Sequence, residues 1–236
     1  MIAKLLLDAN NVRKAESALG KHLRQNPADT AQRSFLFELL CFSGQYDRAG
    51  KQLAVLAQGG PQAEMGAVLY YSALHAEKVR HETFLKREFP LTSATSSVSG
   101  RINGKPFQSI SDADPEIGAR LEVYAAGAYL WIPFEHIASV QTEPPRRLRD
   151  TLWSPAFVVT GPGFRGTDIG EVLLPAIYPF SWKSEDQSVW LGRTTAWVAD
   201  DEGHEFPTGQ KMLIVDGEEV PLLEVRSLEF SNDAAA

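Results

Sequence analysis

Gly161-Pro162-Gly163-Phe164-Arg165-Gly166 has the G-x-G-x-x-G spacing of a phosphate-cradling loop, and an apolar run precedes it. A dinucleotide site needs a helix directly after such a loop, because the helix N-terminus holds the pyrophosphate. The residues after Gly166, Thr-Asp-Ile-Gly-Glu-Val-Leu-Leu-Pro, read as loop and strand, and Pro162 removes an amide that would face phosphate. The stretch reads as a glycine-rich loop. The five histidines, His22, His75, His81, His136 and His204, form no H-E-x-x-H pair. His75 and His81 are six apart and fall on different helical faces. The acidic turn 200–205 lacks the spaced Asp/Asn and terminal Glu of a calcium loop. Cys41, the only cysteine, sits in an apolar run and reads as a buried thiol. It excludes an intrachain disulfide and a four-Cys zinc site. No G-x-S-x-G nucleophile elbow occurs. These residue types therefore predict no catalytic set, no cofactor and no metal.

The elements that would position such residues point instead to binding. Asn10-Asn11-Val12-Arg13-Lys14-Ala15 aligns with Gly44-Gln45-Tyr46-Asp47-Arg48-Ala49 at an offset of 34 residues. Leu19 then falls on Leu53 and Pro27 on Pro61. That is the period of tetratricopeptide helix pairs. Helices are expected over 2–8, 11–25, 29–43, 46–57, 62–79 and 81–88. Val12, Ala15, Ala18, Leu19, His22 and Leu23 recur at helical spacing in the second. The run Phe35, Leu36, Phe37, Leu39, Leu40, Cys41, Phe42 covers more than one face, as in a stacked array.

Past Pro90 the period changes. A linker over 91–99 leads to the hairpin signal Asn103-Gly104, between strands over 98–102 and 105–110. A helix is expected over 115–125. Strands are expected over 129–132, 138–142, 156–160, 171–174, 194–198, 212–215 and 223–230, with short helices at 134–137 and 146–152. Asp216-Gly217 is a second hairpin turn, and the Asn-Asp-Ala-Ala-Ala tail reads as disordered. The fold class expected is multidomain: a TPR-like α-α superhelix over 1–90, then an α+β domain rich in antiparallel strands over 91–236. Composition agrees. Residues 1–90 hold 12 Lys/Arg and 9 Asp/Glu, residues 91–236 hold 11 and 21, and all five Trp lie in the second part. Neither part has the basic stripe of a nucleic-acid binder. The apolar start, Ile2–Leu7, is too short and too charged to be a signal peptide or membrane span, so the expected location is cytoplasmic.

The chain carries these blocks together: Trp131-Ile-Pro-Phe-Glu-His-Ile137, Pro145-Arg-Arg-Leu-Arg-Asp-Thr-Leu-Trp-Ser-Pro-Ala156, Leu174-Pro-Ala-Ile-Tyr178, Leu191-Gly-Arg-Thr194, Arg33-Ser-Phe-Leu-Phe-Glu-Leu-Leu40 and Tyr46-Asp-Arg-Ala49. With them the chain resembles the ImpE/SciE family, also called TagJ, of type VI secretion accessory proteins. The resemblance implies a helical-repeat domain joined to an α+β domain and no enzymatic activity. It implies a cytoplasmic adaptor that binds the N-terminal helix of the small sheath subunit TssB, linked in some members to sheath recycling by the ClpV ATPase. At Asn10–Arg13 the chain departs from the Gly-x-Tyr turn of the repeat. Of the family-motif residues, Arg33, Arg149, Asp150 and Trp153 are expected to stabilise the fold.

The face of the array that would take a partner helix is expected to carry Ser34, Glu38 and Cys41, their counterparts Val68, Ser72 and His75, and Leu7. An amphipathic helix would meet it with anchors at i, i+3, i+4 and i+7. The interdomain cleft is the alternative location. The rival function is an enzyme or a small-ligand binder, for example for glycans, in the Trp-rich domain. Self-association is a third reading.

Overall fold

The computed structural model describes residues 2–90, 94–95, 97–161, 163–164, 169–200 and 203–231. The 91–99 linker, the Gly161–Gly166 loop and the 200–205 turn fall partly outside these residues, and the tail 232–236 wholly so.

Five helices come first: α1 (Ile2–Asp8), α2 (Val12–Gln25), α3 (Thr30–Phe42), α4 (Tyr46–Leu56) and α5 (Pro61–Lys86). Each packs on its neighbours in sequence. Local chemistry sets their ends. The Asp29 carboxylate accepts from the Gln32 amide at 3.0 Å and caps α3. Pro61 occupies the first turn of α5, where a missing N–H costs nothing. The 34-residue repeat reappears in the turns. Asn10 (φ 54°) and Gly44 (φ 70°) both take the left-handed conformation. Asn11 N–H donates to Leu6 O at 2.7 Å, and Gln45 N–H to Leu40 O at 2.8 Å. These are equivalent bonds in the two copies. Asn tolerates the left-handed region, so it replaces the glycine without changing the turn.

The two helices expected over 62–79 and 81–88 are one helix of 26 residues. Nothing between Ala67 and Lys86 breaks it, and the Arg80 side chain is buried along its length.

From Gly100 the chain is mainly antiparallel strand. The strands are β1 (Gly100–Ile102), β2 (Lys105–Phe107), β3 (Ile110–Asp112), β4 (Arg120–Ala125), β5 (Ala128–Pro133), β6 (Ile137–Thr142), β7 (Trp153–Thr160), β8 (Gly170–Pro175), β9 (Thr195–Ala199), β10 (Glu205–Gly209), β11 (Met212–Val215), β12 (Glu218–Pro221) and β13 (Ser227–Phe230). A one-turn helix α6 spans Gln187–Trp190. The largest sheet has the order β2-β1-β13-β6-β7-β8-β4-β5; β12-β11-β3 and β10-β9 form two smaller ones. Asn103-Gly104, Asp216-Gly217 and Ala126-Gly127 all have paired positive φ, the type I′ hairpin turn. The expected strand over 223–230 is confined to Ser227–Phe230, preceded by a 3-10 turn at Leu222–Glu224.

The helix expected over 115–125 is instead a turn and strand β4. Asp112 and Asp114 carboxylates accept from the amides of Asp114 (2.9 Å) and Glu116 (3.0 Å), and Gly118 takes φ 58°. In β4, Leu121 and Val123 enter one core, while Glu122 and Tyr124 point to the helices. The period of two is present, but one of its buried faces is polar.

The large sheet thus separates two apolar cores. On one side Tyr124, Trp153, Leu173 and Ile177 pack with Phe37, Leu39, Leu40 and Leu74 of the helices. On the other, Leu121, Val123, Val140, Val158 and Val172 pack with Leu213 and Val215 of the small sheet.

Candidate binding groove

A buried ionic chain fixes α5 to the sheet. Arg80 donates from Nε to Glu122 Oε1 (2.7 Å) and from Nη2 to Glu122 Oε2 (2.9 Å), with a third bond from Nη1 to Ile177 O (2.9 Å). Lys211 Nζ lies 2.6 Å from both Glu122 Oε2 and Asp112 Oδ2, and Tyr178 donates its hydroxyl to Asp112 Oδ1 at 2.9 Å. Glu77, one helical turn before Arg80, accepts from Tyr124 (2.6 Å) and from Trp153 Nε1 (2.8 Å). Burial works to raise the Glu122 carboxyl, but Arg80 and Lys211 overcome it and hold its pKa at about 2. Beside the chain, burial pushes Asp114 up to about 6 and His81 down to about 4. His81 is enclosed by the rings of Tyr46, Phe180 and Trp182, with centroids 5.3, 5.1 and 4.6 Å away. Trp182 covers the α3–α4 turn; a Cβ on Gly44 would lie 2.5 Å from its ring.

Because α5 is held over β4 and β5, it covers only part of the sheet. A groove of about 1020 Å³ remains between them. One wall is the outward stripe of α5: Met65 (74% exposed), Val68 (60%), Leu69 (50%) and Ser72, spaced i, i+3, i+4, i+7. The other wall is the helix-side face of β7 and β8, with Pro155, Phe157 (48% exposed), Glu171 and Leu173. Tyr70, Tyr124 and Trp153 form the floor, and the Ala126-Gly127 turn abuts Ser72. Gln141, Glu143, Arg146, Asp150 and Arg226 supply a polar rim. An apolar trough with a polar rim is what an amphipathic helix needs.

Of the face residues expected from the repeat, only Val68 and Ser72 line this groove. Leu7 and Cys41 are in the core and offer no surface, because their turns of helix are closed by the neighbouring helices. Glu38 is buried against Arg149, whose Nη1 donates to its Oε1 at 3.2 Å. Ser34 is half-buried and His75 is exposed outside the groove. The motif residues take part in packing. Arg33 donates to Gln52 Oε1 (2.8 Å) and Pro27 O (2.7 Å). The Arg149 guanidinium lies 4.6 Å from the centre of the Tyr70 ring. Asp150 accepts from the amides of Arg146 and Arg147, both at 2.9 Å, and Trp153 is buried.

Phe157, Pro155 and Glu171 were not expected from the sequence, yet it holds a signal for them. Strand β7 is apolar on both faces, and a strand of that kind is covered on both. Here one face is open from Pro155 onward. The rim carboxylates do not converge: Glu143 pairs with Arg146, and Asp150 is taken up by main chain. Trp153 and Trp190 are buried, and Trp131 stacks on Phe89 at 5.6 Å, so none of these three indoles presents an open face to the groove. Among the described residues, no group of three His, Cys, Asp or Glu could hold a metal ion, and no helix is long and apolar enough to cross a membrane.

The description of the family model that matches residues 104–229 is ImpE protein. The type VI secretion system accessory component TagJ of Pseudomonas aeruginosa is 32% identical over 98% of this chain and 91% of its own length. The crystal structure of a Vibrio parahaemolyticus protein superposes with a TM-score of 0.85 at 20% identity, covering 100% of this chain and 99% of that one, which shows a shared fold.

Proposed function

The chain belongs to the ImpE family, and from that premise we propose that it is a non-enzymatic, cytoplasmic adaptor of a type VI secretion system. Its helical part, residues 1–90, acts as a TPR-like domain and residues 91–236 as an α+β domain, with the partner held between them. The partner is the N-terminal amphipathic helix of the small sheath subunit TssB, and the adaptor assists sheath assembly or recycling by ClpV.

The observation that carries this reading is the half-covered sheet. Beside α5 the helix-side face of β7 and β8 is left open. Two apolar walls meet there, the Met65–Ser72 stripe and Phe157. Each large side chain that a partner fully covers contributes up to about 1.5–3 kcal/mol before the costs of association.

The test is titration of the full chain with a synthetic peptide of the sheath subunit's N-terminal helix. Val68→Asp and Ser72→Arg, on the groove wall, should each weaken binding at least tenfold while the circular dichroism spectrum is unchanged. Undiminished binding by these folded variants would remove the groove from the interaction.

A further inference from the structure

The large sheet has two edges, and they are built differently. In an antiparallel hairpin with a two-residue turn, the pair next to the turn bonds inward, and the next residue turns its N–H and C=O outward. At the β2 edge the pair beside the turn is Ile102 with Lys105, followed by Arg101 with Pro106. The outward residue is therefore Pro106, which has no N–H to offer, and Lys105 stands beside it. This edge is closed to a further strand. At the β5 edge, Ala128 pairs with Ala125 beside the turn, then Tyr129 with Tyr124, Leu130 with Val123 and Trp131 with Glu122. The same alternation turns the N–H and C=O of Tyr129 and Trp131 outward. Among the described residues neither main chain has a further hydrogen-bond partner. Strand Ala128–Pro133 carries no charge, and Leu130, between the two outward residues, is 38% exposed.

We infer that β5 pairs with β5 of a second copy of this chain, antiparallel, about a two-fold axis through Leu130. The two outward residues sit symmetrically about Leu130. A second copy therefore sets Tyr129 opposite Trp131 and Trp131 opposite Tyr129, with four main-chain hydrogen bonds. Leu130 meets its own counterpart across the closer, non-hydrogen-bonded pair. The strand is its own complement: two aromatic cross-strand pairs form, and no like charges meet on the axis. Pro133 ends the pairing, since it offers no further N–H.

Light scattering on the full chain tests this, up to the highest soluble concentration. The expected mass is twice the 26.0 kDa of one chain. Leu130→Lys sets two ammonium groups face to face on the axis and should return the single-chain mass with an unchanged circular dichroism spectrum. Leu130→Cys should give a covalent dimer under mild oxidation, because the closer pair holds its Cα atoms about 4.5 Å apart, within disulfide reach. Cys41 is buried and does not compete. A wild-type chain that stays single, or a dimer that survives Leu130→Lys and fails to cross-link through position 130, overturns the inference. So does a single chain that gains mass only when an extended peptide is added.

Discussion

Asp114 and His81 lie within one buried region and respond to acid in opposite senses. His81 titrates near 4 in the folded chain against an ordinary 6.5. Between those values the unfolded chain takes up a proton that the native one refuses, so this group lowers stability as pH falls from 6.5 to 4. Asp114 titrates near 6 against an ordinary 3.8, so the native chain keeps a proton that the unfolded one has lost. It lowers stability as pH rises from about 4 to 6, and the cost is complete above 6. Each shift amounts to roughly 3 kcal/mol at its full extent. Asp114→Asn should therefore leave stability unchanged below pH 4 and raise it by about 1–3 kcal/mol above pH 6. His81→Gln should gain over the wild type toward pH 4 and differ little from it, through this proton, above pH 7. Urea midpoints at pH 4, 5.5 and 7.5 measure both. An Asp114→Asn gain that is the same at every pH would assign its effect to packing rather than to a proton. No sequence pattern marks these groups: Asp114 with Pro115 reads as the start of a helix, and it is chiefly the burial of the turn before β4 that perturbs it.

Helix α5 depends on one side chain for its seat. Arg80 is 1% exposed and places three nitrogens on Glu122 and Ile177 O. Removing it leaves Glu122 buried with Lys211 alone among cations, and breaking such a pair costs about 3–5 kcal/mol. Arg80→Met should lose that much in urea unfolding, and amide exchange should rise in the second half of α5 before it rises in β7. Uniform exchange throughout would mean that the ion pair holds no particular element. The turns give a second contrast. Gly44→Ala forces a Cβ into the Trp182 ring at a positive φ, and should cost more than about 1 kcal/mol. Asn10→Gly at the equivalent turn should cost only a few tenths, because both residues accept the left-handed conformation. Thermal melts of the two variants compare them directly. These turns were legible in the sequence because a 34-residue offset repeats the residues that form them. Strand β4 and the unbroken α5 were not legible. No motif singles out Glu122 or Arg80, and their contact across two elements makes them a core pair.

At the scale of the molecule, two surfaces that are each half of a core face the same gap. Strand β7 is apolar on both sides, and α5 carries Met65, Val68 and Leu69 opposite its buried Ala67 and Leu74. The sequence places a strand at 156–160 and puts Val68 and Ser72 on the expected partner face. That the two lie across one groove is not visible there, since residues 65–72 and 155–157 are joined only by the sheet order. The open faces are separable from folding. Val68→Asp and Phe157→Asp change exposed residues on opposite walls, and each should shift stability by no more than about 0.5 kcal/mol. Leu85→Asp, equally exposed on α5 but outside the groove, is the control. Against the sheath-subunit helix peptide, both wall variants should weaken binding tenfold or more, and the control should not. A helix seated between the walls touches both at once, so the double variant should lose less than the product of the two single losses, because once one wall is charged the peptide no longer seats against the other. Losses that multiply independently would describe two separate contacts on the surface rather than one helix filling the gap left by the half-covered sheet.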